Sequence, residues 1–149
     1  MLSGLLMQAT LRALDWLANR TLPPQEMPEH QRTGRKGEED AYFYLRQRGY
    51  VIIARNYRSP HHRSELDLVG WDQDVLCFIE VKSRTTRGEI PAEAAVDINK
   101  QRDLNRVARD FLRHLPQSCQ WRFDVLAVYY EAQAARPSFE LFQNAFSVS

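Results

Sequence analysis

Two carboxylates and a lysine within one short stretch carry the clearest chemical signal in this 149-residue sequence. Asp67 and Glu80 lie in two apolar runs joined by a polar turn, and Lys82 follows Glu80 by two residues. If the turn is centred between Gln73 and Asp74, Asp67 faces Glu80 on neighbouring antiparallel strands. Like charges so close together repel, so the pair requires solvent, a bound proton or a divalent cation.

The chemistry that such a group of side chains could perform is phosphodiester hydrolysis. Carboxylate oxygens are the ligands that Mg²⁺ and Mn²⁺ prefer, which makes Asp67 and Glu80 candidate metal ligands. Lys82 could then orient or deprotonate the attacking water, or stabilise charge that develops on the phosphate. The alternative is an exposed polar face on which Glu65 and Lys82 form a weak ion pair.

The alternation of side chains along a strand predicts which residues share a face of this hairpin. One face is expected to carry Glu65, Asp67, Phe78, Glu80 and Lys82. The opposite face is expected to carry Leu66, Leu68, Cys77, Ile79 and Val81. Because the second set is entirely apolar, the hairpin is predicted to belong to a buried sheet.

The wider hydrophobic pattern predicts an α/β fold in which helices flank a mixed central sheet. Helices are predicted over 33–48 and 91–115, and strands over 50–54, 65–69, 75–82, 121–130 and 139–142. Residues 55–64 are predicted to form a basic loop, and 70–74 a turn that includes Asp72. Glu38 falls near the apolar face of the first helix, where a carboxylate is unusual. Asp124 either supports the acidic pair or forms an ion pair with Arg122.

The N-terminal segment differs from the rest of the chain. Residues 1–19 carry an apolar helical stripe, and three prolines follow within residues 21–28. We therefore divide the chain into an amphipathic helix with a proline-rich linker over 1–30 and a domain over 31–149. The stripe favours homodimerisation, while packing on the chain's own domain or on another protein remains open. Stable membrane insertion is not expected, because no run of about 18 apolar residues occurs.

The net charge and the cysteine content indicate which partners and which cellular compartment to expect. The formal net charge is only +1, so attraction to nucleic acid must arise from local basic clusters. Candidate phosphate contacts are Arg55, Arg58, Arg63, Arg84, Lys100, Arg102, Arg106 and Arg109, with ordinary solvated surface as the alternative. The two cysteines follow no disulfide or zinc-site pattern, which favours a reducing, cytoplasmic compartment.

Several segments resemble known proteins. The spacing of Asp67, Glu80 and Lys82 resembles the PD-(D/E)xK nuclease motif. Over residues 34–146 the chain resembles the YraN-like family of uncharacterised bacterial proteins. The matching segments include Gly34-Arg-Lys-Gly-Glu-Glu-Asp-Ala, Arg55-Asn-Tyr-Arg, Glu65-Leu-Asp-Leu-Val and Phe78-Ile-Glu-Val-Lys-Ser-Arg. Ser64 departs from the glycine that this family usually has before the acidic strand.

The resemblance implies a restriction-endonuclease-like fold of the Holliday-junction-resolvase type. It implies that Asp67 and Glu80 bind the metal and that Lys82 is the catalytic lysine. It also implies an auxiliary acid at Glu38 and places Gln101 near the site. The predicted substrate is nucleic acid, with DNA favoured over RNA and structured or branched DNA as one candidate form. Two alternatives are a nucleic-acid-binding module without nuclease activity and an assembly factor that acts through the N-terminal helix.

Overall fold

The computed structural model describes residues 29–85, 95–115 and 118–147. Within these ranges the chain forms two helices, α1 (Glu29–Gln47) and α2 (Ile98–Leu112). It also forms five strands: β1 (Val51–Arg58), β2 (Glu65–Asp72), β3 (Val75–Arg84), β4 (Gln120–Tyr129) and β5 (Ser138–Phe146). The predicted N-terminal helix, its linker and the homodimer contact lie outside the described residues. The chain divides into two units, 1–33 and 34–149, and the sheet belongs to the second.

The five strands form one sheet in the order in which they occur along the chain. β3 and β4 are parallel, whereas the other three neighbouring pairs are antiparallel, so the predicted mixed sheet is confirmed. A parallel pair cannot be joined by a tight turn, and the connection from β3 to β4 contains α2.

A helix packs on each face of the sheet, as the sequence predicts. Leu104, Val107 and Ala108 of α2, spaced by three and four residues, join the buried cluster on one face. Ala41 and Leu45 of α1 join the cluster on the other face. Neither helix that the structure describes combines the length and the apolar character needed to span a bilayer.

Several element boundaries differ from the prediction because pairing extends the strands. Arg55 and Arg58 belong to β1 rather than to a loop, since β1 pairs with β2 as far as Arg58 and Glu65. The predicted turn residue Asp72 likewise ends β2 and pairs with Val75. The basic loop is therefore reduced to residues 59–64, and the hairpin turn to residues 73–74.

Helix boundaries shift as well. α1 begins at Glu29, four residues before the predicted start, and ends two residues before Gly49. Gly49 has a φ of 93°, the left-handed conformation predicted for the residue that terminates this helix. α2 begins after Asp97, whose side chain accepts a hydrogen bond from the Lys100 backbone N–H at 2.9 Å. This cap sets the start of α2 and therefore the position of Lys100 in its first turn.

The predicted distribution of apolar side chains over the hairpin is wrong at one position. Leu66 lies in the α2-side cluster with Phe78, whereas Leu68 and Ile79 lie in the α1-side cluster. The regular pairing of β2 with β3 ends at Leu68 and Ile79. The alternation of side chains along β2 is therefore interrupted between Leu66 and Leu68, at Asp67, whose carboxylate accepts from the Val81 N–H of β3.

Candidate active site

The predicted hairpin register is observed, and it ends where the two acids begin. Leu68 pairs with Ile79, which places Asp67 and Glu80 at the next position along the two strands. There the Asp67 carboxylate replaces a backbone acceptor, because the Val81 N–H donates to Asp67 Oδ2 at 2.8 Å. The bond fixes this carboxylate between the strands, beside Glu80.

Asp67 lies in an environment that disfavours its charge. Burial raises the pKa of Asp67 well above its usual range, and the charges of Glu80 and Glu38 raise it further. The hydrogen bond from Val81 and the charge of Lys100 act in the opposite direction. A group of this kind gains from a bound proton or from a bound cation.

Glu80 is buried, with 7% of the residue exposed, and its two carboxylate oxygens differ. Oε1 lies 3.3 Å from Lys82 Nζ and 3.9 Å from Lys100 Nζ. Oε2 is buried and has no hydrogen-bond partner in the described part of the chain. A buried carboxylate oxygen without a partner is unfavourable, so this atom is where a cation would fit.

The ion pairs around the acids differ from the alternative weighed from the sequence. Lys82 pairs with Glu80 and not with Glu65, whose Oε2 accepts from Arg58 Nε at 2.6 Å. Lys82 and Glu80 meet because residues two apart on one strand share a face. Lys100, predicted only as a phosphate contact, reaches the same carboxylate from the first turn of α2.

Glu38 of α1 completes the group of acids from the other side of the sheet. Burial raises the pKa of Glu38 to about 6, and the charge of Glu65 acts in the same direction. In the orientation that satisfies both acids, the Asn56 side-chain amide donates to Glu38 Oε2 at 2.9 Å and to Glu65 Oε1 at 3.0 Å. We name Glu38, Glu65, Asp67 and Glu80 the acidic cluster.

Gly37 allows α1 to approach the sheet closely next to the acidic cluster. A Cβ atom added at Gly37 would overlap Ser83 Oγ, and it would lie 3.2 Å from Ser83 Cβ. Ser83 directly follows Lys82 on β3, and Glu38 directly follows Gly37 on α1. The absence of a side chain at Gly37 therefore helps to set the position of Glu38 relative to Lys82.

Comparison with known proteins places the chain in a family. Residues 37–128 match the model of the uncharacterised protein family UPF0102. The chain belongs to this family. A UPF0102 protein of Koribacter versatilis is 49% identical over 142 residues, which cover 95% of both chains. A UPF0102 protein of Solibacter usitatus is 38% identical over 138 residues, covering 91% of this chain and 96% of the relative.

Membership of an uncharacterised family, predicted from the sequence, is thereby confirmed. A third UPF0102 relative, from Chlorobium chlorochromatii, is 40% identical over 119 residues, covering 77% of this chain and 91% of the relative. The part of the chain matched by the UPF0102 model contains the whole acidic cluster together with Lys82 and Lys100.

The other candidate residues of this UPF0102 chain differ in their contacts and in their exposure to solvent. Gln101 belongs to the first turn of α2, and its side-chain amide donates to the Val96 carbonyl at 2.9 Å. The Arg55 guanidinium stacks on Tyr42, 4.5 Å from the ring centroid, and its charge lowers the pKa of Glu38. Arg84 is half-buried at the end of β3. The exposed candidate phosphate contacts are Arg58, Arg63, Arg102, Arg106 and Arg109.

Asp124 belongs to an ion network and not to the acidic cluster. It is fully buried and accepts from Arg122 Nε at 2.9 Å and from the Asn144 backbone N–H at 2.9 Å. The same guanidinium donates to Asp72 Oδ2 at 2.8 Å. Of the two roles weighed for Asp124, the ion pair with Arg122 is the one observed.

Two residues that contact or face Glu38, namely Glu65 and Asn56, are members of the site that the sequence does not predict. The sequence predicts that Glu65 shares a face with Asp67 and Glu80 and offers an ion pair with Lys82, but it assigns Glu65 no part in the site. Asn56 has a φ of 50°, a left-handed conformation that asparagine tolerates better than most residues. Its position within Arg55-Asn-Tyr-Arg, one of the segments of the family resemblance, was the available signal.

Proposed function

We propose that this chain is a metal-dependent nuclease that hydrolyses phosphodiester bonds in nucleic acid, DNA above all. In this proposal the acidic cluster and Lys82 form a PD-(D/E)xK site on a restriction-endonuclease-like fold. The observation that carries the proposal is the state of Glu80. One of its oxygens lies beside two lysines, while the other is buried and has no hydrogen-bond partner in the described part of the chain. The charge of Glu80 also raises the pKa of Asp67, which links the two acids.

The donor set fits a hard divalent cation. Asp67 and Glu80 would hold Mg²⁺ or Mn²⁺, since both offer carboxylate oxygens and both are poorly solvated. In the described residues, no three His, Cys, Asp or Glu side chains are grouped so as to hold a metal. Two carboxylates suffice for Mg²⁺, which usually keeps several waters and takes further oxygens from a phosphate. When bound, the cation supplies positive charge for the phosphate and makes water more acidic.

The side chains around the acids have distinct parts in this proposal. Lys82, held 3.3 Å from Glu80, would stabilise negative charge that develops on the phosphate. Lys100 adds a second positive charge from α2. Glu38, with a pKa of about 6, can accept and release a proton near neutral pH, as a general base or acid must.

A cleavage assay tests the proposal. Labelled linear, flapped and four-way-junction DNA would be incubated with the wild type in Mg²⁺, in Mn²⁺ and in EDTA. We expect cleavage that requires the metal and falls by about 10²-fold or more in Lys82→Ala. Lys36→Ala removes an equal charge from a lysine that stacks on Tyr130, 4.9 Å from the ring centroid, and should cleave normally.

Two outcomes would contradict parts of the proposal. Failure to cleave any substrate in either metal would refute nuclease activity, and DNA binding without cleavage would favour the binding-module alternative. Wild-type cleavage by Lys82→Ala would refute the role of this lysine. Calorimetry with Mn²⁺ shows whether Lys82→Ala still binds the metal, so that removal of a catalytic group is not confused with failure to bind the cation.

A further inference from the structure

A second buried polar group joins the loop at residues 59–64 to α2. Asp110 of α2 and Ser59 of the loop are only 5% and 6% exposed. Ser59 Oγ donates to Asp110 Oδ2, and the same Ser59 oxygen accepts from the His61 backbone N–H at 3.1 Å. His62 Nε2 lies 3.6 Å from Asp110 Oδ2. Together these interactions hold the start of the loop against the helix.

Asp110 lies at the flank of the exposed basic stripe of α2. We define this stripe as Arg102, Arg106, Arg109 and Arg113, whose spacings of four, three and four residues place them on one side of the helix. Arg113 NH1 lies 3.0 Å from Asp110 Oδ1. The loop is thus docked along one edge of the stripe.

The other end of the loop reaches the acidic cluster. β2 begins at Glu65, directly after the loop, and Asp67 follows two residues later. The exposed residues His61 and Arg63 lie within this short connection. Two basic segments that are separate in the sequence therefore lie next to each other, and the loop connects α2 to the strand that carries Asp67.

Asp110 is an unexpected residue in a surface of this kind. A carboxylate within a cationic surface weakens attraction to phosphates, so simple electrostatics would favour its absence. Its burial and its bonds to Ser59 and Arg113 indicate a structural task. The Ser59 hydrogen bond holds the pKa of Asp110 below its usual range, which keeps the carboxylate available as an acceptor.

We propose that the loop and the arginine stripe form one DNA-binding surface, and that Asp110 is the positioning residue that docks the loop on α2. The proposal rests on the proposed function and adds to it the surface that holds the substrate. Arg102 and Arg113 are 11 positions apart, or about 16 Å at 1.5 Å per residue, which matches the rise of about five base pairs. The ligand class is the phosphodiester backbone, bound without regard to sequence.

Two variants with the same change of charge test this proposal. Asp110→Ala and Asp103→Ala each remove one negative charge from α2, and Asp110→Ala also removes the oxygen that accepts from Ser59. The Asp103 side chain is 48% exposed and lies 3.5 Å from Arg106. If only charge matters, both variants bind DNA more tightly than the wild type. If Asp110 positions the loop, Asp103→Ala binds more tightly and Asp110→Ala more weakly, despite its more positive charge.

The measurement is fluorescence anisotropy with a labelled 20-base-pair DNA duplex in EDTA, over a series of salt concentrations. For Asp110→Ala we expect weaker binding and a salt dependence reduced by about one unit of slope for each phosphate that the surface no longer binds. Ser59→Ala, which removes the anchoring hydroxyl and no charge, should show the same weakening. Circular dichroism and Mn²⁺ calorimetry show whether each variant keeps its fold and its acidic cluster. If Asp110→Ala does not fold, Ser59→Ala decides the test.

The outcomes separate this proposal from the proposed function. Tighter binding by Asp110→Ala, or wild-type binding by Ser59→Ala, would overturn the role of Asp110 and leave the nuclease proposal intact. DNA binding that depends on Asp110 in a protein that cleaves no substrate would support the surface and refute the nuclease. A wild type that does not bind the duplex at any salt concentration would overturn the surface.

Discussion

Replacing Glu38 by Gln should stabilise the protein above pH 7 and leave its stability nearly unchanged at pH 4. The reason is that burial and the neighbouring acids raise the pKa of Glu38 to about 6 in the folded chain, from 4.5. Between these two values the folded state binds more protons than the unfolded state. The free energy of unfolding of the wild type therefore falls as the pH rises through this window.

The size of the effect follows from the same pKa values. A rise from 4.5 to about 6 corresponds to about 2 kcal/mol at most, at 1.36 kcal/mol for each pKa unit. Glu38 is half-buried, so solvent screening reduces the expected gain to about 1–2 kcal/mol at pH 8. Gln keeps an oxygen that can accept the Asn56 hydrogen bond, so the substitution removes charge and little else.

Urea unfolding of wild type and Glu38→Gln in EDTA, at pH 4 and pH 8, measures this difference. At a slope of about 1–3 kcal/mol per molar urea, the midpoint at pH 8 should rise by roughly 0.5–1 M. Glu39→Gln is the matched control, because Glu39 is exposed on the same helix and should change stability little at either pH. Equal stabilisation of Glu38→Gln at both pH values, or none at pH 8, would refute the argument that Glu38 is held in an unfavourable environment.

Three further substitutions have defined outcomes. In thermal unfolding, Mn²⁺ at about 100 times its Kd should stabilise the wild type by about 2.7 kcal/mol and leave the stability of Glu80→Gln unchanged. An equal gain in stability in both proteins would exclude Glu80 as a ligand. Gly37→Ala should destabilise the protein by about 1–3 kcal/mol in urea, because the new methyl group overlaps Ser83 Oγ, and adding Ser83→Ala should recover most of this stability. Arg122→Met should cost about 3–5 kcal/mol in the same assay, because Asp124 stays buried without its charged partner; a decrease under 1 kcal/mol would contradict this.

The hairpin could be predicted from the sequence because its two strands and its turn are neighbours in the chain. A short polar turn and two alternating runs leave few registers possible, and the pairing of Leu68 with Ile79 follows from them. The same local rule failed at Leu66, because the alternation of side chains along β2 is interrupted at Asp67, whose carboxylate bonds to the Val81 N–H. Strand lengths were underestimated where polar residues such as Arg55 continue a strand that its neighbour extends.

Contacts between distant parts of the chain could not be predicted from the sequence. Lys100 reaches Glu80 only because the Asp97 cap starts α2 at that point. Ser59 and Asp110 are 51 residues apart, and nothing in either segment alone indicates that they meet. Periodicity identifies the faces of helices and strands, whereas such contacts depend on how those elements pack.

The hydrogen bond from the Val81 N–H to Asp67 makes one backbone amide a spectroscopic reporter of the acidic cluster. An amide proton bonded to a carboxylate changes its resonance frequency when that carboxylate gains a proton or a cation. In ¹⁵N-labelled protein, the Val81 cross-peak should therefore move during a pH or Mg²⁺ titration, while that of Ile79, within the regular ladder, moves far less. The state of Asp67 can thus be followed in the unmodified chain, without substituting any residue of the site.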